Sequence, residues 1–218
     1  MNYPNSLKKL NPFDGTFLYE SPKTTVLDLV YKIQTAQKQF QNWKEQSLQQ
    51  RQEWLSKIKQ QYILNKDQIL ESESLDQGLP ISFTEKANYH VGLVFLQTLE
   101  NELAESIKNV DEKKMISPVG VVSVILSWNL SNRLFIEKVL PSVMAGNTVI
   151  VKVSSLAFGL AQIWEKLLSQ ISFPSSVIQF VISDEIDIKN LMVTHPGIKA
   201  VSVTGHLETC SAVLRKHS

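Results

Sequence analysis

The chain has 218 residues, 43% of them hydrophobic and 20% charged, with a formal net charge of +1. That balance excludes wholesale disorder and a collagen-like or coiled-coil chain, and it argues against nucleic-acid or membrane-surface partners, which call for a basic excess. The lysine pairs Lys8-Lys9 and Lys113-Lys114 read as solvated surface, the single cysteine, Cys210, allows no internal disulfide, and Met1 to Leu10 carries no apolar signal core. A reducing, cytoplasmic setting is expected.

The first half reads as helices. Apolar residues at Val26, Leu29, Val30, Ile33, Ala36, Phe40 and Trp43 recur at helical spacing. Ser47 and Gln50 form a capping-box pattern for a second helix, with Leu48, Trp54, Leu55, Ile58 and Tyr62 as its apolar face. A third helix is predicted from about Asp67 to Gly78, ahead of Pro80. A fourth starts at Ser82 and carries Ala87, Val91, Phe95, Leu99, Leu103 and Ile107.

The second half alternates strands and helices. Val119 to Leu126 is nearly continuous and β-branched, as a strand buried on both faces should be. Thr148 to Val151, Val177 to Ile182 and Ala200 to Val203 repeat the signal. Between them lie helix-length segments, Arg133 to Met144, Leu156 to Ile171 and Glu185 to Val193, and a last helix opens at about Leu207. Pro141 predicts a kink or an early stop in the first of these. The fold class expected is α/β, with N-terminal helices followed by a partial Rossmann-like parallel sheet of about four strands. The boundaries expected are an N-terminal helical segment over 1–110 and a partial nucleotide-binding domain over 111–218. Ligands of such sheets bind at the strands' carboxyl ends. The candidate positions are therefore Ser127 to Ser131, Lys152 to Ser155, Ser183-Asp184 and Thr204 to His206.

Those strand ends carry a resemblance. Ser117 to Asn129, ending Ser127-Trp128-Asn129, resembles the aldehyde dehydrogenase segment that ends Pro-Trp-Asn. Met144 to Lys152 resembles its Ala-Gly-Asn-Thr-Val-Val-Leu-Lys, and His195-Pro196 with Val203-Thr204-Gly205 resembles its His-Pro and Phe-Thr-Gly-Ser. Asn11 to Gly15, Trp43, Arg51 and Gln77 to Pro80 also fall in place. Phe173-Pro174, and the lack of a glycine-rich turn after Ile182, are similar to the succinate-semialdehyde dehydrogenase group.

The resemblance implies a role for each matched residue. Asn129 is the equivalent of the oxyanion-hole asparagine; the alternative is a turn asparagine bonding its own backbone. Leu126, Ser127, Trp128, Lys152, Ser155, Thr204, Gly205 and His206 would line the cofactor site. Within it Lys152 would contact the adenosine ribose, or else be one more surface lysine. Thr204-Gly205 would open a helix toward the pyrophosphate. His206, in place of the family serine, would crowd or bond the phosphates, or be a lone surface histidine. Ser155 stands where many members carry a glutamate. Further departures are Leu79, Ser127, Leu130-Ser131 and Val153.

The family is more than twice this length, and its cysteine nucleophile and glutamate base lie beyond the equivalent of Ser218. The resemblance thus implies a truncated NAD(P)-dependent aldehyde dehydrogenase, inactive alone, binding NADP or NAD weakly or not at all. The alternative is a non-catalytic module for a nucleotide or a partner. The partners expected are a dinucleotide and either a second copy or a chain supplying the missing half. Ala104 to Ile116 looks too short for the projecting hairpin that many members use in oligomerisation. Cys210 reads as a packing residue, with His206 on its helix face as the one argument for reactivity.

Overall fold

The structure is a computed structural model that describes residues 5–108 and 117–217. The segment Ala104 to Ile116, expected to be too short for a projecting hairpin, lies partly outside these residues, and Lys113-Lys114 lie wholly outside them. A two-stranded antiparallel hairpin, β1 (Ser6–Leu10) and β2 (Phe17–Pro22), opens the fold. The sequence pattern gives no sign of it, because neither SLKKL nor FLYESP alternates apolar and polar residues as a half-buried strand does.

The helices then follow in the order expected. Helix α1 spans Val26–Trp43, and Thr25 and Asp28 close a reciprocal capping box at its start. Helix α2 (Leu48–Leu64) is capped the same way by Ser47 and Gln50. Helix α3 (Lys66–Gln77) stops at Gly78, whose φ of 66° is the left-handed cap that glycine adopts without strain. The fourth predicted helix divides into α4 (Ile81–Thr84), a π-helical turn (Glu85–Tyr89) and α5 (His90–Lys108). The π turn adds a residue to the helical repeat and rotates the face that follows. The buried residues of this stretch are Thr84, Asn88, Tyr89, Gly92, Leu96 and Leu103, while Phe95, expected inside, is exposed.

Four parallel strands follow: β3 (Val121–Ile125), β4 (Thr148–Val153), β5 (Ile178–Ile182) and β6 (Ile198–Val203), in the spatial order β5-β4-β3-β6. Helices α6 (Ser131–Met144), α7 (Gly159–Gln170) and α8 (Ile186–Thr194) make the crossovers, and α9 (Leu207–His217) follows β6. Helix α6 does not stop early at Pro141; it continues to Met144, and the Ala145 amide donates to the Pro141 carbonyl. Helix α7 starts later than its apolar pattern suggests. Ser154 to Phe158 form a turn, and the Gly159 amide donates to Asp76 Oδ2 at 2.8 Å.

Residues of β3 and β4 are buried on both faces of the sheet. On one face Val122, Val124 and Val151 pack with Tyr62 of α2, Phe135 of α6 and Trp164 of α7. On the other, Val121 and Ile150 meet Leu29 and Ile33 of α1 and Met192 of α8. Helix α1 thus covers the sheet face that α8 leaves open, so the N-terminal helices share the cores of the strands.

Lys9 corrects an expectation. It is buried, and its ammonium donates to the carbonyls of Asp76 and Leu156, each at 2.5 Å. The Tyr19 hydroxyl donates to the same Asp76 carboxylate. The hairpin is thereby tied to α3 and to the turn before α7. Among the described residues no helix is long and apolar enough to cross a membrane.

Candidate functional site

A parallel sheet leaves a crevice where consecutive crossovers leave its carboxyl edge in different directions. Here that crevice is a cavity of about 850 Å³ at the ends of β3, β4 and β6, walled also by α8 and α9. The turn after β3 supplies Leu126, Ser127, Trp128, Asn129 and Leu130. The end of β4 supplies Lys152, Ser154 and Ser155, and the turn after β6 supplies Thr204, Gly205 and His206. All nine residues singled out from the sequence for the cofactor or oxyanion site stand on this one cavity. Ser183 and Asp184 do not. They lie past the outer strand β5, where Asp184 pairs with Lys23 at 2.9 Å.

Lys152 is the last residue but one of β4 and is only 4% exposed. Its Nζ donates to the Val153 carbonyl at 3.0 Å. Burial first, and then the charge of Lys189, pull its pKa down to about 8, with Asp184 opposing. The reading of Lys152 as an ordinary surface lysine is therefore wrong. Among the described residues, neither Lys152 nor Lys189 forms an ion pair. The one carboxylate in the lining among the described residues is Glu208, in the first turn of α9.

Asn129 is exposed at the cavity lip, and among the described residues its side chain makes no bond to its own backbone. Leu130 beside it has a φ of 54°, in the left-handed region. Its amide donates to Gln77 Oε1 at 3.4 Å. Gln77 in turn donates to Glu73 and to Ser131, and Asn132 donates to Glu73 through both its backbone and its side chain. Glu73 is buried, and desolvation raises its carboxyl above the ordinary range against the pull of those bonds.

His206 is exposed at the entrance to α9, where its carbonyl accepts from the Cys210 amide. Cys210 does not pack in the core as expected. It is partly exposed, and its thiol lies 3.7 Å from the Gly205 carbonyl rather than on the imidazole. Sequence reasoning missed Lys189, Asn190, Val193 and Glu208, which also line the cavity. The signal available was the single face shared by Ile186, Lys189, Asn190 and Val193 at helical spacing.

The donor set suits an anionic, extended ligand. It combines two ammonium groups, the hydroxyls of Ser127, Ser154, Ser155 and Thr204, and the free amides of the first turn of α9.

Residues 2–218 match the sequence profile of the aldehyde dehydrogenase family. The chain belongs to that family. FUS7 of Gibberella fujikuroi, designated an aldehyde dehydrogenase, is 28% identical over 210 residues, covering 94% of this chain and 45% of its own length. The 2-aminomuconic semialdehyde dehydrogenase of Bos taurus is 24% identical, over 96% of this chain and 45% of its own. Among solved structures, aldehyde dehydrogenase C (AldC) of Pseudomonas syringae superposes with a TM-score of 0.90 at 22% identity. That match covers 98% of this chain and 45% of AldC, which was solved as a C291A mutant with NAD+ and octanal. The chain thus spans a little under half the length of the aldehyde dehydrogenases it matches. At such identities the structural likeness speaks for the fold alone.

Proposed function

We propose that the cavity at the ends of β3, β4 and β6 is an adenine dinucleotide site, and that it favours NADP over NAD. The observation that carries this is the convergence of Lys152 and Lys189, without ion pairs among the described residues, on a cavity that also takes in the start of α9. Asn129 at the lip is the oxyanion-hole equivalent, and Lys152 with Ser155 holds the adenosine ribose end. A glutamate at position 155 would accept the ribose hydroxyls of NAD and repel a 2′-phosphate. Two unit charges about 4 Å apart interact by roughly 4 kcal/mol at an effective dielectric near 20. Ser155 removes that repulsion and offers a hydroxyl instead. His206 and Glu208 stand where the pyrophosphate would approach α9, so binding is weak.

The family reaction oxidises an aldehyde to its acid, and semialdehydes of the succinate kind are the substrate class proposed for the parent activity. The bovine relative named for a semialdehyde is in keeping with it. The 218 residues by themselves bind cofactor without turning over aldehyde. A second reading, a non-catalytic partner-binding module, is favoured by the exposed apolar groups Trp128 and Ile186 on the cavity and by exposed Leu156, Leu207 and Leu214, each next in the chain to a lining residue.

The experiment is calorimetric titration with NADP and NAD, on the wild type and on Ser155→Glu. Tighter NADP binding by the wild type, reversed by the glutamate, is the expected result. Tighter NAD binding by the wild type, or an unchanged preference in the variant, refutes it.

A further inference from the structure

Glu73 is 3% exposed and, among the described residues, faces no cation. A carboxylate so placed is tolerated only when its oxygens accept hydrogen bonds. Oε1 accepts from Gln77 Nε2 at 3.0 Å, Ser131 Oγ at 3.3 Å and the Asn132 amide at 3.2 Å. Oε2 accepts from Asn132 Nδ2 at 3.0 Å. None of these side chains is free to turn. Trp164 Nε1, a group that only donates, reaches Asn132 Oδ1 at 2.9 Å and so aims Nδ2 at Glu73. At the other end the Leu130 amide, also a donor only, takes Gln77 Oε1 and aims Nε2 at Glu73 and at Ser131. The centre of the network must therefore accept from both sides, which a carboxylate does and an amide cannot.

The far end of this network is the strained one. Leu130, with φ 54°, sits in a region that a branched side chain avoids, and such a backbone persists only when its surroundings hold it. We propose that Glu73 and Gln77, on α3, are positioning residues for the cavity: through Leu130 and the first turn of α6 they fix the Trp128–Asn129 lip. The importance of that lip for cofactor rests on the reading above; its geometry does not.

The test replaces the tryptophans at 43, 54, 128 and 164 by 5-fluorotryptophan and follows each fluorine resonance in the full chain, assigned by single Trp→Phe variants. Glu73→Gln is the informative variant. It keeps the shape of the side chain and removes the buried charge, but in either orientation its NH2 meets a fixed donor, Asn132 N or Asn132 Nδ2. The expected result is a Trp128 resonance that shifts or splits by more than its linewidth in Glu73→Gln and in Gln77→Ala. The Trp43 resonance, whose indole is bonded to the Val143 carbonyl, should stay in place and report that the chain is folded. A role in packing alone would leave Trp128 unmoved in the isosteric Glu73→Gln. An unmoved Trp128 in both variants overturns the proposal, as does a shift of Trp43 equal to that of Trp128. Adding NADP to the wild type separates the two readings: a Trp128 line indifferent to NADP counts against the cofactor site alone, and the Glu73 comparison stands or falls independently.

Discussion

Lys152 brings a charge to a place that excludes water, and its titration is the direct measure of that conflict. Its pKa in the fold is about 8 against 10.5 for the free side chain. Below pH 8 both folded and unfolded chains hold the proton, and the fold bears a cost of about 3 kcal/mol for keeping the buried ammonium charged. As pH rises from 8 toward 10.5 the folded chain releases the proton while the unfolded chain keeps it, so this cost disappears. Lys152→Met is expected to raise stability at pH 7 by about 1–3 kcal/mol by urea unfolding, and to flatten the gain that the wild type shows above pH 8. Equal stability of the two proteins at pH 7 would refute this. Cys210 belongs to the same scale. Among the described residues its thiol meets the Gly205 carbonyl and no base, and a nucleophilic thiol calls for an activating base beside it. No sustained aldehyde oxidation is expected, and turnover that vanished in Cys210→Ala would contradict the cofactor-only reading of these residues.

Among the elements, α3 has the widest reach. Its Asp76 caps α7 through the Gly159 amide, accepts the Tyr19 hydroxyl of β2 and sits beside the Lys9 ammonium of β1. Its Glu73 and Gln77 hold the start of α6. Asp76→Ala would leave Lys9 buried with carbonyls alone and α7 without its cap, a loss of about 3–5 kcal/mol. The double variant Lys9→Met/Asp76→Ala should recover part of that loss, because no ammonium is then stranded. Urea unfolding of the two single variants and the double completes the cycle, and simple additivity would show that the two side chains do not act together.

For the whole molecule the sheet's two edges are unequal. Beside β5, Thr24 covers the last residue of the edge, its amide donating to the Ile182 carbonyl and its hydroxyl accepting from the Ile182 amide. Beside β6, no strand pairs on the side away from β3 among the described residues, and the helix that follows it, α9, exposes Leu207 and Leu214. Open edges with apolar neighbours invite pairing between chains. The 218-residue chain is expected to form irregular assemblies at tens of micromolar concentration, seen by light scattering with binding of an apolar dye. A sharp monomer peak without dye binding would be the contrary result.

What the sequence determined by itself was whatever depends on local pattern. The cap at Ser47, the stop at Gly78, the four β-branched runs and the motifs at their ends are all legible within a few neighbouring residues. The parallel sheet follows from their alternation, since crossovers of that length allow little else. What the tertiary structure alone decided are matters of distance in space. Lys9 is buried because Asp76 and Leu156, far along the chain, offer it carbonyls. The face of α5 is set by a π turn that no periodicity announces, and the hairpin is held by α3 and the turn before α7 rather than by an apolar alternation of its own. Lys189 and Asn190 join Lys152 on one wall only once α8 has folded back over the sheet. A pattern along the chain encodes which face of an element is apolar, but a charge's solvation and a cavity's walls are sums over neighbours brought together by folding.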